Sequence, residues 1–96
     1  MTRTLKVLGH VYEVRDSTKL VRERNTAGTC CAGTLEIELD PDSPVTRYEE
    51  ALLHEVFEAL NYHLSLDLNH DKMSALSEGL FQVLADNGLK TAWRSA

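Results

Sequence analysis

Ala51-Leu52-Leu53-His54-Glu55-Val56-Phe57-Glu58-Ala59-Leu60 is the stretch on which the reading of the whole chain turns. Ala, Leu and Glu are strong helix formers, and the run holds neither Gly nor Pro, so it reads as a helix. An exposed helix carries Lys or Arg among its polar residues; this one carries none. Its polar residues are His54, Glu55 and Glu58, set among apolar neighbours. Isolated charges are costly to bury, so buried ones are paired or coordinate a metal. His54 and Glu58 are four apart and lie one turn apart on the same helical face. Glu55 points about 100° further round the axis. This is the layout of a helical metal site, with two ligands and a carboxylate beside them. The plainer alternative is a solvated i,i+4 pair worth a few tenths of a kcal/mol.

Outward from this helix, Thr46-Arg47-Tyr48-Glu49 fits a capping box and predicts a start near Arg47. The helix is expected to run to about Leu64, with Leu53, Val56, Phe57, Leu60 and Leu64 as its core stripe. His63 falls about 180° from His54 on the helical wheel and is expected at or near the surface, outside that site. Downstream, Asn69 caps a second helix from about His70 to Asp86. Its core face is expected from Met73, Leu76, Leu80, Val83 and Leu84. Asn87-Gly88 stops it, with Gly supplying the left-handed residue. The tail with Leu89 and Trp93 either packs back on the domain or forms part of a partner surface.

Upstream, Leu35, Ile37 and Leu39 alternate with Glu36 and Glu38, which predicts a strand over 34–40 with one buried face. Asp40-Pro41-Asp42-Ser43-Pro44 ends it as a turn or loop. Leu5, Val7, Val11, Tyr12 and Val14 flank Gly9-His10 as a β-hairpin, with His10 exposed at the turn. Lys19-Leu20-Val21 is expected as a short strand, and 22–28 as a polar loop in which Arg22 and Arg24 are solvated.

The 96 residues make a single domain. A chain of this size buries roughly 60–70 % of its unfolded surface, enough for one modest core. The formal charge of −5 argues against nucleic-acid binding through a general phosphate-neutralising patch. No apolar run approaches membrane-spanning length, and the N-terminus lacks a signal-peptide core; a cytoplasmic protein is expected. Cys30 and Cys31 are adjacent, so they cannot staple distant segments and are too close for the usual zinc-ligand spacing. One thiol is expected inside and the other at the surface.

The order of elements is hairpin, alternating strand, His-Glu-containing helix and second helix. It resembles the small zincin-type metallopeptidases, and most of all the compact ImmA/IrrE-like proteins of phage and prophage genomes. The residues that carry the resemblance are Leu35-Glu36-Ile37-Glu38-Leu39, Leu52-Leu53-His54-Glu55, Leu76-Ser77-Glu78-Gly79-Leu80 and Asp86-Asn87. It spans about Val7 to Asn87, and His54-Glu55 is its specific part.

The resemblance implies an α+β fold, a small antiparallel sheet packed on two helices, with zinc as cofactor. The family pattern is H-E-x-x-H, in which two His bind zinc and the Glu between them is the general base. Here Glu58 stands in the second ligand position. In such proteins a third ligand sits near the start of the following helix, where this chain has His70. His54, Glu58 and His70 then restore two histidines and one carboxylate, a catalytic zinc set. Asp71 is the nearest substitute, Glu78 is expected on the solvated side, and an exposed His70 at the helix start remains the plainer alternative. Glu55 takes the general-base role. Leu35, Ile37 and Leu39, if their strand is a sheet edge, align a peptide by backbone pairing. The function implied is a minimal zinc-dependent peptidase acting on a protein or peptide partner, without nucleic acid or membrane. The alternative is a non-catalytic phage-type regulatory module in which the polar trio is a structural metal site or a buried hydrogen-bond network.

Overall fold

The structure, a computed structural model, describes residues 2–89; the tail with Trp93 lies outside the described residues. The fold is α+β. A hairpin of β1 (Thr2–Val7) and β2 (His10–Asp16) leads through α1 (Leu20–Arg24) to β3 (Gly28–Cys31) and β4 (Glu36–Leu39). Two longer helices follow, α2 (Val45–Leu64) and α3 (His70–Asp86). Among the described residues no helix is long and apolar enough to cross a membrane.

The hairpin turns on Leu8 and Gly9, both at positive φ (51° and 83°), a two-residue turn whose twist matches the flanking strands. His10 therefore belongs to β2, one residue beyond the expected turn. The sheet order is β1-β2-β4-β3. β1–β2 and β3–β4 pair antiparallel, but β2 and β4 are parallel. The sheet is thus mixed, not antiparallel, and β4 is interior. The expected edge at Leu35, Ile37 and Leu39 is not there. Ile37 and Leu39 are wholly buried, and Leu35 packs partly buried against the core. β3 holds the edge instead.

Residues 20–24, expected as strand and loop, form the short α1. Asp40 explains it: its carboxylate accepts the backbone N–H of Val21 (2.9 Å) on one oxygen and that of Asp42 (2.9 Å) on the other. This ties α1 to the loop after β4 and lets Leu20 bury.

α2 starts at Val45, two residues before the expected start at Arg47, because Pro44 serves as N-cap with its carbonyl accepting from the Tyr48 N–H (2.9 Å). The helix lies on the sheet through Tyr48, Ala51, Leu52 and Ala59, which close the core over Tyr12, Val14, Ile37 and Leu39. The expected stripe of Leu53, Val56, Phe57, Leu60 and Leu64 is half-buried apart from Leu64, which is exposed. The small residues Ala51 and Ala59 let α2 approach the sheet closely, and this rotation carries Glu55 into the interior at 6 % exposure.

α3 has the expected bounds. The Asn69 side chain accepts from the Lys72 N–H (2.9 Å), and Gly88 lies just past the helix at φ +68°. It packs on α2 through Met73 and Ser77, with Ser74, Phe81 and Leu84 half-buried. Leu76, Leu80 and Val83, expected in the core, are 39–48 % exposed. The stripe that α3 buries starts at Met73 and turns the His70–Ser74 side toward α2.

Candidate functional site

A cleft of about 260 Å³ opens where α2, α3 and the start of β3 meet. α2 contributes Arg47, Glu50, His54 and Glu55, spaced along one side of the helix; α3 contributes His70, Ser74 and Glu78, four residues apart in turn. Residues 25–28 complete the lining.

The structure brings His54 and His70 together, with ring centroids 4.9 Å apart and ring planes inclined at 60°. Ser74 Oγ lies 3.4 Å from His70 Nε2, one turn along α3, and steadies that ring through one nitrogen. Burial, then the neighbouring His70 and more weakly Arg47, lower the pKa of His54 against the opposing pull of Glu58. Its neutral imidazole, the form that ligates metals, is favoured.

Glu55 lines the same cleft and is itself buried. A Cβ added to Gly28 would stand 3.2 Å from its Oε2, 3.0 Å from Leu39 Cδ2 and 3.3 Å from the Glu38 carbonyl oxygen. The carboxyl group therefore lies close against β3 at Gly28, where a larger residue would push its neighbours aside. Burial above all, and then Glu58, push its pKa up to about 8. Cys30 faces the same carboxylates from β3. Burial, then Glu55 and Glu58, push its thiol up to about 12, which makes it a packed thiol and not a nucleophile. Cys31 is exposed, as expected for the pair.

Glu58 is half-buried and close enough to act on Glu55, Cys30 and His54, but it does not line the cleft with the two histidines. Asp71 is exposed and is not part of the cleft wall either. Glu78, expected on the solvated side, is exposed yet lines the cleft. Its signal was the spacing His70, Ser74, Glu78, one residue per turn on one face of α3. Arg47 was also missed; it precedes Ala51 and His54 by the same periodicity.

Among the described residues, no three His, Cys, Asp or Glu side chains stand together as a formed metal-binding group. The donor types do suit zinc. With Zn–N about 2.0–2.1 Å and a ring centre about 1.2 Å behind each nitrogen, two imidazoles on one tetrahedral ion have centroids about 5.2–5.4 Å apart. The His54–His70 separation of 4.9 Å comes within about half an ångström of that, and the rings are inclined and not stacked. A buried carboxyl with a raised pKa beside a second carboxylate is also where a cation relieves the most electrostatic cost.

His63 stands elsewhere. Its Nε2 is 2.6 Å from the hydroxyl of the buried Tyr12, and its ring stacks on His10 with centroids 4.3 Å apart.

Comparison with protein-family models, curated proteins and solved structures finds no match. The functional reading therefore rests on the residues themselves.

Proposed function

We propose that the protein is a minimal zincin-like metalloprotein that hydrolyses a peptide bond in a protein partner. The observation that carries this reading is the His54–His70 pair on the wall of a cleft that the buried Glu55 also lines. His54, His70 and Glu58 would hold zinc, with Glu58 joining the histidines by a side-chain adjustment on α2. When bound, zinc supplies Lewis-acid polarisation and acidifies the attacking water.

The chain's own residues do the rest. Ser74 and the packing of α3 on α2 keep the two imidazoles in place. Glu55 takes the proton from the attacking water and passes it to the leaving amine. A cation held beside it would draw its raised pKa back down and favour the carboxylate, the form that accepts the proton. The edge of β3, whose first residue Gly28 borders the cleft, aligns the peptide by backbone pairing. The setting is the cytoplasm, where Cys30 and Cys31 stay as thiols.

The test sets Glu55→Gln beside the wild type, both loaded with zinc and incubated with a peptide library. Cleavage by the wild type, reduced at least about 10²-fold in Glu55→Gln at equal zinc content, is the expected result. Zinc held by both with no cleavage by either overturns catalysis and leaves a metal-containing binding module.

A further inference from the structure

We propose that the basic pocket beside the cleft binds a carboxylate of the peptide, so that the substrate is acidic next to the bond the cleft handles. This deepens the proposed function and rests on that reading of the cleft.

The pocket, about 400 Å³, shares Asn25, Thr26, Ala27 and Arg47 with the cleft, so one bound chain passes from one to the other. Three cations line it: Lys19 and Arg22 at α1 and Arg47 on α2. The whole chain has 10 Lys and Arg against 15 Asp and Glu, so three cations around one cavity run against the overall balance. None of the three makes an ion pair among the described residues; the pairs found there belong to Arg3 and Arg15.

The anionic groups that line this pocket with the cations are Asp40 and Asp42. Asp40 is 1 % exposed, and its two oxygens are engaged by the backbone N–H groups of Val21 and Asp42. Its charge is taken up in holding the pocket's walls together, with Arg22 close enough to help hold it ionised. Asp42 is exposed at the rim and offsets one cation. A positive excess therefore remains. Across the shared wall the cleft presents Glu50 and Glu78, which repel a carboxylate. An anionic group entering from either side is thus steered to the Lys19–Arg22–Arg47 end. Val21, Ala27 and Pro44 supply apolar wall for an aliphatic stem, and an Arg fork binds the carboxylate head in two parallel hydrogen bonds.

A peptide carries such a carboxylate either on an acidic side chain or at its C-terminus. Three hydroxamate peptides distinguish the sources: one with Glu and an amidated C-terminus, one with Gln and an amidated C-terminus, and one with Gln and a free C-terminal carboxylate. Affinities are read on the zinc-loaded protein at low and high salt. A carboxylate peptide is expected to bind at least tenfold tighter than the amidated Gln peptide, with the preference shrinking as salt rises. Lys19→Ala with Arg22→Ala should erase that preference while leaving the affinity of the amidated Gln peptide unchanged. Equal binding of all three peptides, or a preference untouched by the double variant, overturns the proposal. The same peptides without the hydroxamate are titrated into metal-free protein and followed by amide NMR shifts. Carboxylate-dependent shifts at Lys19, Arg22 and Arg47 sustain the pocket even if no hydroxamate binds, in which case only the zinc reading falls. Absence of those shifts together with absence of hydroxamate binding overturns both.

Discussion

The molecule holds two pairs of histidines, and α2 contributes one member to each. His54 meets His70 of α3 at 4.9 Å with rings inclined by 60°; His63 meets His10 of β2 at 4.3 Å with rings within 17° of parallel. By proximity alone the second pair is the tighter. Its geometry is nevertheless wrong for a shared ion, because stacked rings send their lone pairs out side by side. His63 Nε2 is also engaged by the Tyr12 hydroxyl at 2.6 Å, and no carboxylate lines that contact among the described bonds. The first pair has the opposite surroundings: inclined rings, a cleft open to solutes that the buried Glu55 also lines, and Glu58 within electrostatic reach of His54. Two close histidines are therefore not a site by themselves. The inclination of the rings and the carboxylates around them separate a ligand pair from a stacked structural one.

The sharpest probe of that difference is Glu55, which has no counterpart at His10–His63. In metal-free protein its pKa is raised from 4.5 to about 8. Below about 4.5 both folded and unfolded chains hold the proton and Glu55 costs nothing. Between about 4.5 and 8 the unfolded chain loses the proton while the folded one keeps it, so stability falls as pH rises. Above about 8 the loss is complete. Glu55→Gln removes it, and denaturant melts at pH 9 should show the variant roughly 3–5 kcal/mol more stable than wild type, with the gain vanishing near pH 4. A gain that does not depend on pH breaks the account of Glu55 as a buried carboxyl.

Gly28→Ala tests the wall that Glu55 rests on. The new methyl meets Leu39, the Glu55 carboxylate and the Glu38 carbonyl at 3.0–3.3 Å. A loss of about 1–3 kcal/mol in urea melts is expected, as for other overpacked cores. A neutral result means the β3 backbone yields and the wall is soft.

His70→Ala should lower zinc affinity at least tenfold in a competition titration with a chelating dye, and Asp71→Ala should not. If the two variants behave alike, His70 is only a helix-start residue.

The smallest expected effect belongs to the other pair. His63→Ala leaves the wholly buried Tyr12 hydroxyl without its partner and should cost about 1–2 kcal/mol in a thermal or urea melt. Its zinc affinity should not move.

Much of this arrangement was legible in local chemistry. Asn69 and Gly88 mark both ends of α3, and the alternation at 35–39 marks β4. The meeting of His54 with His70 was anticipated through the resemblance alone, which implies a third ligand near the start of the second helix. What local patterning could not show was long-range order. An apolar alternation reads alike in an edge strand and an interior one, so the parallel pairing of β4 with β2 was out of reach. α1 has five residues, too few for a period to emerge. On α2 the large residues suggested one buried stripe, whereas the helix is covered by the sheet on one side and α3 on another. Close approach to the sheet then favoured the alanine side, and that choice buried Glu55. The cleft's Arg47 and Glu78 belong to faces that look solvated in isolation and become walls only once two helices pack.

The measurement that bears most directly on the central claim is a zinc titration by calorimetry of chelator-treated protein, run on wild type, His54→Ala and His63→Ala side by side. About one zinc per chain is expected in wild type and in His63→Ala, with affinity lower by at least about 10²-fold in His54→Ala. No zinc uptake by the wild type, or uptake lost in His63→Ala and kept in His54→Ala, contradicts the assignment.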